Sequence, residues 1–412
     1  MAQQVNPPRG MRDVLPAEKA KRERALAVIR DVYRRHGFDE VEAPALEEIG
    51  RLHSGIGGDN EKLSYSVLKR GLTNGDLQTA ASVDDPMLLA DLGLRYDLTV
   101  PLARFYATNQ ASLPAVFRAL HTGPVWRAER PQKGRYRQFT QCDIDILGEA
   151  GPVAELELLA ATSDVIDALG LADTTIRIND RRILNRLLET WGVPAERTEA
   201  AMITIDKLDK IGVDGVVAEL AERGVTTEGL GATFGSLATA GWNLLDGEPP
   251  AWLDVVAYRD LLALRAALPA ARIEFDPMLV RGMGYYTGTI FEITHPGSGG
   301  SIGGGGRYDG MLGRFLGRDV PAVGFSLGFE RVIDLLPEAP ADRDAVALLV
   351  DGDVPAEVQL AAKRAELAAG RRARLERARK NRRGQLEALA GEGFGAVRVL
   401  TADGLSEPRP LG

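Results

Sequence analysis

Cysteine is nearly absent: Cys142 is the single thiol among 412 residues. That excludes an internal disulfide framework and a cysteine-based zinc site, and it fits a reducing cytoplasm. With no histidine beside it in sequence, Cys142 reads as a small strand residue rather than a nucleophile. Histidine is scarce as well. His36, His53, His121 and His295 show no metal-ligand spacing and read as solvated or structural side chains. Long apolar runs are missing: nothing approaches the roughly 18 residues of a membrane span. The opening MAQQVNPPRGMRDVLP has no apolar signal-peptide core. The expectation is a soluble, cytoplasmic protein. Positive charge is in deficit, and a net charge of −8 argues against indiscriminate coating of nucleic acid while leaving room for a local basic face.

What is present is ordinary globular material. Apolar residues make up 45% and charged residues 26%, enough for a real core in two or three domains. Leu26, Ile29, Val32 and Tyr33 recur at helical spacing before a stop at Gly37. FDEVEAPAL (38–46) reads as a strand interrupted by Pro44, and a proline cannot donate to a ladder, so the strand belongs at an edge or an interface. LGLRYDLTVPLARFYA (92–107) starts extended and turns helical after Pro101. A helix is expected near 152–169 and a short strand at 175–178. Residues 181–270 are rich in Ala, Leu, Glu and Gly and read as a mostly helical insertion. Extended character returns at 271–294, and a helix is expected near 328–336. PEAPAD (337–342) reads as a linker, followed by a small unit of alternating strands and helices.

The most informative stretch is FRALHTGPVWRAERPQKGRYRQFTQCDIDILG (117–148), which reads as two strands joined by a polar loop around 131–134. It interleaves Arg127, Arg130, Lys133, Arg135 and Arg137 with Glu129, Gln138, Gln141, Asp143 and Asp145. An anion site needs only the cations, and a structural strand needs almost none of them. Both kinds on one ribbon imply a site that grips phosphate and also reads a cationic or hydrogen-bonding ligand, as activation of an amino acid with a nucleotide requires.

Three further elements carry chemistry. LVRGMGYYTGTIFEI (279–293) presents Arg281, read as delivered on a strand, beside Gly282 and Gly284, with Tyr285 and Tyr286 as one wall of a pocket. GSGGSIGGGGRYDGML (297–312) reads as a loop whose missing side chains let a ligand lie against the backbone. In VGFSLGFERVIDLL (323–336), Arg331 falls near a helix start, where its fork can meet a phosphate. Taken alone, this last element reads as a surface arginine.

In this order the elements resemble the histidyl-tRNA synthetases, a class II aminoacyl-tRNA synthetase family. The resemblance runs from Pro8 to about Leu336 and rests on ERPQKGRYRQF, RGMGYY and GGGRYDG. It implies an α+β fold: a class II antiparallel sheet flanked by helices over residues 1–338, with the helical insertion at about 181–270. A shortened α/β anticodon-binding-like domain at 341–412 would follow. It implies histidine and ATP giving histidyl-adenylate, then transfer to the 3′ end of tRNA, with Mg2+ assisting at the phosphates. Arg127 would hold the α-phosphate, Glu129 the adenine amino group, Arg331 the γ-phosphate, and Arg281 the α-phosphate and the histidine carboxylate. Histidine would be read by Asp97, Thr99, Gln141, Asp145, Arg281, Tyr285 and Tyr286. Asp97 and Asp145 stand where the family commonly has glutamate, and Gly284 where many members have aspartate; the expectation is tuning of the site. Pro44 and its preceding helix match the element that builds a dimer, so a C₂ homodimer is expected.

From Lys363 to Arg383 ten lysines and arginines face two glutamates, which reads as a phosphate-facing patch. The chain stops at LSEPRPLG where the family's domain continues with a further strand and helix. Two alternatives stay open on that account: a non-charging paralogue serving as regulatory subunit of an ATP phosphoribosyltransferase, and a ligase with a non-tRNA acceptor. The paralogue usually has eroded R-x-E and RGxxYY motifs, and both are present here.

Overall fold

The computed structural model describes residues 5–56, 63–131, 134–225, 230–281, 285–338 and 342–411. Gly282 and Gly284, Lys133 and the middle of the 337–342 linker lie outside the described residues. The chain divides into two compact units: Met1–Asp13 with Ala25–Leu336, and Val14–Arg24 with Pro337–Gly412.

The chain begins with α1 (Pro16–Arg35), whose residues up to Arg24 are counted with the smaller unit, and the larger unit continues with β1 (Asp39–Val41), β2 (Leu46–Glu48), α2 (Ile49–Ile56), β3 (Tyr65–Leu68), α3 (Asn74–Ser82), β4 (Ala90–Leu94) and α4 (Thr99–Asn109). Next come β5 (Phe117–Trp126), β6 (Gln138–Leu147), α5 (Val153–Ala168) and β7 (Thr175–Asp180). A helical run follows: α6 (Arg181–Thr190), α7 (Thr198–Ile205), α8 (Leu208–Glu222), α9 (Leu230–Ala238) and α10 (Val255–Ala267). The unit closes with β8 (Ile273–Phe275), β9 (Thr289–Thr294), β10 (Gly303–Arg307), α11 (Gly310–Leu316), β11 (Ala322–Gly328) and α12 (Phe329–Leu335).

The described strands build an eight-stranded sheet in the order β1-β5-β6-β11-β10-β9-β7-β8. Its six inner strands, β5 to β7 in that order, pair antiparallel with one another. The pairs at each edge, β1 with β5 and β7 with β8, are parallel, which makes the sheet mixed. A separate three-stranded sheet, β2-β4-β3, is joined to the edge strand β1 through exposed Pro44. The expected single interrupted strand is therefore two strands in two sheets: the missing proline donor ends one ladder and lets the chain enter another.

Alternation along each strand sorts the sheet's two faces. In β6, Cys142, Ile144 and Ile146 enter a core shared with Phe291 and Ile293 of β9 and Val323 and Phe325 of β11. Leu158, Leu159 and Val165 of α5 and Tyr258 and Leu261 of α10 cover that face. Each such side chain contributes about 1.5–3 kcal/mol when fully withdrawn from water. The intervening residues Gln141, Asp143 and Asp145 of β6 and Glu292 of β9 point to the opposite face, where the cavity lies.

Three expectations need correction. GGGGR (303–307) is no loop but β10, a wholly buried inner strand. Its glycines are required by crowding, because a Cβ on Gly305 would stand 1.9 Å from the Gly324 carbonyl oxygen. Arg281 does not sit on a strand; it lies in the connection between β8 and β9. The helix after LRYDL starts at Thr99, two residues before Pro101, because Asp97 Oδ1 accepts from the Val100 N–H at 3.1 Å and secures that first turn.

The smaller unit contains β12 (Asp342–Val350), α13 (Ala356–Ala368), β13 (Arg372–Arg377), α14 (Arg382–Gly391), β14 (Phe394–Thr401), β15 (Gly404–Leu405) and β16 (Arg409–Pro410). β12 pairs in parallel with β13 and β14, and the two short last strands pair with β14. Its basic run is not one open patch. Arg371 pairs with Glu366, Arg374 with Glu392, Arg382 with Asp351 and Arg383 with Glu387, while Arg377, Arg379 and Lys380 stay exposed.

Candidate active site

The cavity face of the large sheet carries a hollow of about 1210 Å³. Every residue given a binding or catalytic role in sequence lines it: Asp97, Thr99, Arg127, Glu129, Gln141, Asp145, Arg281, Tyr285, Tyr286 and Arg331. They arrive from the α4 start, the β5–β6 hairpin, the β8–β9 connection and α12.

The cationic side is built from three arginines. Arg127 Nε donates to the Tyr96 carbonyl at 3.0 Å, and its guanidinium lies 5.1 Å from the Phe139 ring centroid. Arg331 donates to the Ser301 carbonyl. Burial, then the nearby Arg135 and Arg281 charges, pull the Arg331 guanidinium below its ordinary value. Neither Arg127 nor Arg331 has a salt-bridged acid among the described residues, so each keeps N–H donors available to an anion. Arg281 Nη1 donates to Glu292 at 2.8 Å. Burial pulls Arg281 down, but Tyr286 and Glu292 outweigh it and hold the group above its usual value. Glu129 pairs with Arg135 at 2.9 Å.

The acidic side is buried more deeply. Asp97, Asp143 and Asp145 are nearly inaccessible. Burial pushes Asp145 up to about 7; a hydrogen bond from the Tyr308 hydroxyl at 2.5 Å works against this, and Asp97 adds to it. Burial, then Asp145, raises Asp143 well above the carboxylate range, and burial raises Asp97. Gln141 Nε2 donates to Ser326 Oγ at 2.7 Å, while its own Oε1 and Asp143 Oδ1 are buried without a hydrogen-bond partner. Acceptors outnumber donors here, so the pocket suits a ligand rich in N–H groups. Tyr285 and Tyr286 pack together with ring centroids 4.8 Å apart, and Tyr285 meets Tyr308 edge-on.

Sequence reading gave no individual role to Asp143, Glu292, Ser326 or Tyr308, all of which line the same hollow. Asp143 was legible from the two-residue repeat Gln141–Asp143–Asp145. Tyr308 followed a run taken for a loop, and nothing local marked Glu292 or Ser326. Among the described residues no three His, Cys, Asp or Glu side chains are grouped to hold a metal ion, and none of the described helices is long and apolar enough to cross a membrane.

A largely antiparallel sheet with helices on one face and this mixed cavity on the other has the architecture of a class II aminoacyl-tRNA synthetase core. The histidyl-tRNA synthetase family model matches residues 10–332. A histidine–tRNA ligase of Leifsonia xyli subsp. xyli is 56% identical, over 98% of this chain and 97% of its own. The crystal structure of histidyl-tRNA synthetase from Nostoc sp. PCC 7120 superposes with a TM-score of 0.74 at 26% identity, covering 97% of this chain and 92% of that one. An ATP phosphoribosyltransferase regulatory subunit/histidyl-tRNA synthetase from Bacillus halodurans C superposes with a TM-score of 0.77 at 20% identity over 98% of this chain and all of its own, a likeness of fold alone. The chain belongs to the histidyl-tRNA synthetase family.

Proposed function

We propose that this chain activates histidine with ATP to histidyl-adenylate and transfers the histidyl group to the 3′ end of histidine tRNA. The observation that carries the proposal is the convergence of Arg127, Arg281 and Arg331 on one cavity beside buried acids and phenols. A histidine carboxylate oxygen attacks the α-phosphorus and pyrophosphate leaves in line. Arg127 holds the α-phosphate and Arg331 the γ-phosphate. Arg281 bridges the α-phosphate and the attacking carboxylate, where its charge meets negative charge as it develops. Glu129 accepts from the adenine amino group, and doing so competes with Arg135 for its carboxylate.

Asp97, Thr99, Gln141, Asp145, Tyr285 and Tyr286 receive histidine. The ligand's ammonium and imidazole N–H groups donate to these acids, so an amino acid without ring donors leaves them buried and unpaired. Magnesium would sit on the triphosphate. Glu129 and Glu292 are already engaged by Arg135 and Arg281, so the phosphates would supply most of its ligands. Bound there, it would neutralise phosphate charge.

The intact arginine and acid sets favour this enzyme over a regulatory paralogue. We assign residues 1–338 to the catalytic core with its insertion at about 181–270, and 341–412 to a shortened α/β anticodon-binding-like domain. We also propose a cytoplasmic C₂ homodimer, supported by the edge position of β1 and the exposed Pro44 beside it. The test is aminoacylation: purified protein should charge histidine tRNA with labelled histidine. Adenylate formation without charging would leave the non-tRNA acceptor.

A further inference from the structure

Arg281 does not lie on a strand, so the sheet does not by itself aim its side chain. Its guanidinium is held from two sides. Glu292 of β9 stands in register with Gly304 of β10 on one flank and Arg177 of β7 on the other. Glu292 Oε2 accepts from Arg281 Nη1 at 2.8 Å, and Oε1 accepts from Arg177 Nη1 at 3.3 Å. Arg177 is secured in turn by Asp276. All four side chains line the hollow. Glu292 and Arg281 are 17% and 24% exposed, so water screens their attraction only in part. Beneath them Gly304 leaves the space the guanidinium occupies: a Cβ there would stand 2.6 Å from Arg281 Cζ.

We propose that Glu292 is a positioning residue for Arg281, holding its fork across Gly304 so that the remaining N–H groups face the reacting carboxylate and phosphate. Arg177 and Asp276 keep the Glu292 carboxylate from turning toward solvent. Glu292 touches no reacting atom in this scheme; it sets the direction of the group that does. The inference rests on the assignment of Arg281 given above. The competing view makes the same contacts a fastening between β7 and β9 with no bearing on the reaction.

Histidine-dependent exchange of labelled pyrophosphate into ATP separates the two. Glu292→Gln should lower kcat by roughly 10²-fold, the scale of a misplacement of about 1 Å, with little change in either KM. Glu292→Asp should recover part of that loss. In an Arg281→Lys background, where the fork is already gone, Glu292→Gln should slow exchange hardly further. Gly304→Ala is the second probe: it leaves the Glu292–Arg177 contact in place, displaces Arg281, and should reproduce the fall in kcat. Wild-type kcat in both Glu292→Gln and Gly304→Ala would overturn the proposal, as would full additivity with Arg281→Lys. Wild-type exchange in Arg281→Ala would instead overturn the underlying assignment of Arg281.

Discussion

Asp145 concentrates the chemistry of the site in one side chain. Its folded pKa is raised to about 7, so the folded protein keeps a proton that the unfolded chain releases from about pH 4 upward. Between those values the native state binds more protons than the unfolded state, and stability must fall as pH rises, by at most roughly 1.4 kcal/mol per pH unit for one group. Above the folded pKa the loss is complete. Asp145→Asn keeps an acceptor for Tyr308 and removes the titration. Unfolding free energies measured from pH 4.5 to 8 should show wild type losing ground steadily against the variant. A constant difference would refute the shift. Gly324 is bound to the same acid, since a Cβ there would stand 1.9 Å from Asp145 Oδ1. Gly324→Ala should cost about 1–3 kcal/mol by overpacking. It should also raise KM for histidine more than KM for ATP, which thermal unfolding and exchange kinetics would check.

At the level of elements, the lesson lies in β10. Four successive glycines look like a linker because propensity counts backbone freedom and cannot see what stands opposite. In the fold their neighbours are Arg281, the Gly324 carbonyl, Tyr286 and Phe325, brought from distant segments. The same limit hid Glu292, whose partners Arg177 and Arg281 lie far from it in sequence or outside its strand. What was legible had local cause. The apolar beat of β6 and its acids at every second residue give both faces of that strand. The position of Arg331 after Gly328 marks a helix start. Arg307, at the end of β10, fastens the strand to α5 through two bonds to Glu155 at 2.6 and 2.7 Å. Both side chains are buried, and Arg307 keeps a second acid in Asp309 at 3.1 Å, so Glu155→Gln should destabilise the unit by about 1–3 kcal/mol, read from chemical denaturation.

Over the whole molecule, the cavity face trades stability for function. Two arginines with no paired acid among the described residues, three buried aspartates and unpartnered acceptors each oppose folding, and the aliphatic core on the sheet's other face offsets them. Such an arrangement persists when a ligand completes it: phosphate for the arginines, N–H donors for the acids. The resemblance in sequence identified these groups, while the fold supplied what spacing could not, their meeting in one hollow from segments more than two hundred residues apart. That meeting is the central claim, and exchange of labelled pyrophosphate into ATP tests it most directly. Exchange should require histidine and stay at background with leucine or phenylalanine, which lack ring donors. Exchange with those amino acids at the histidine rate, or none with histidine, would contradict it.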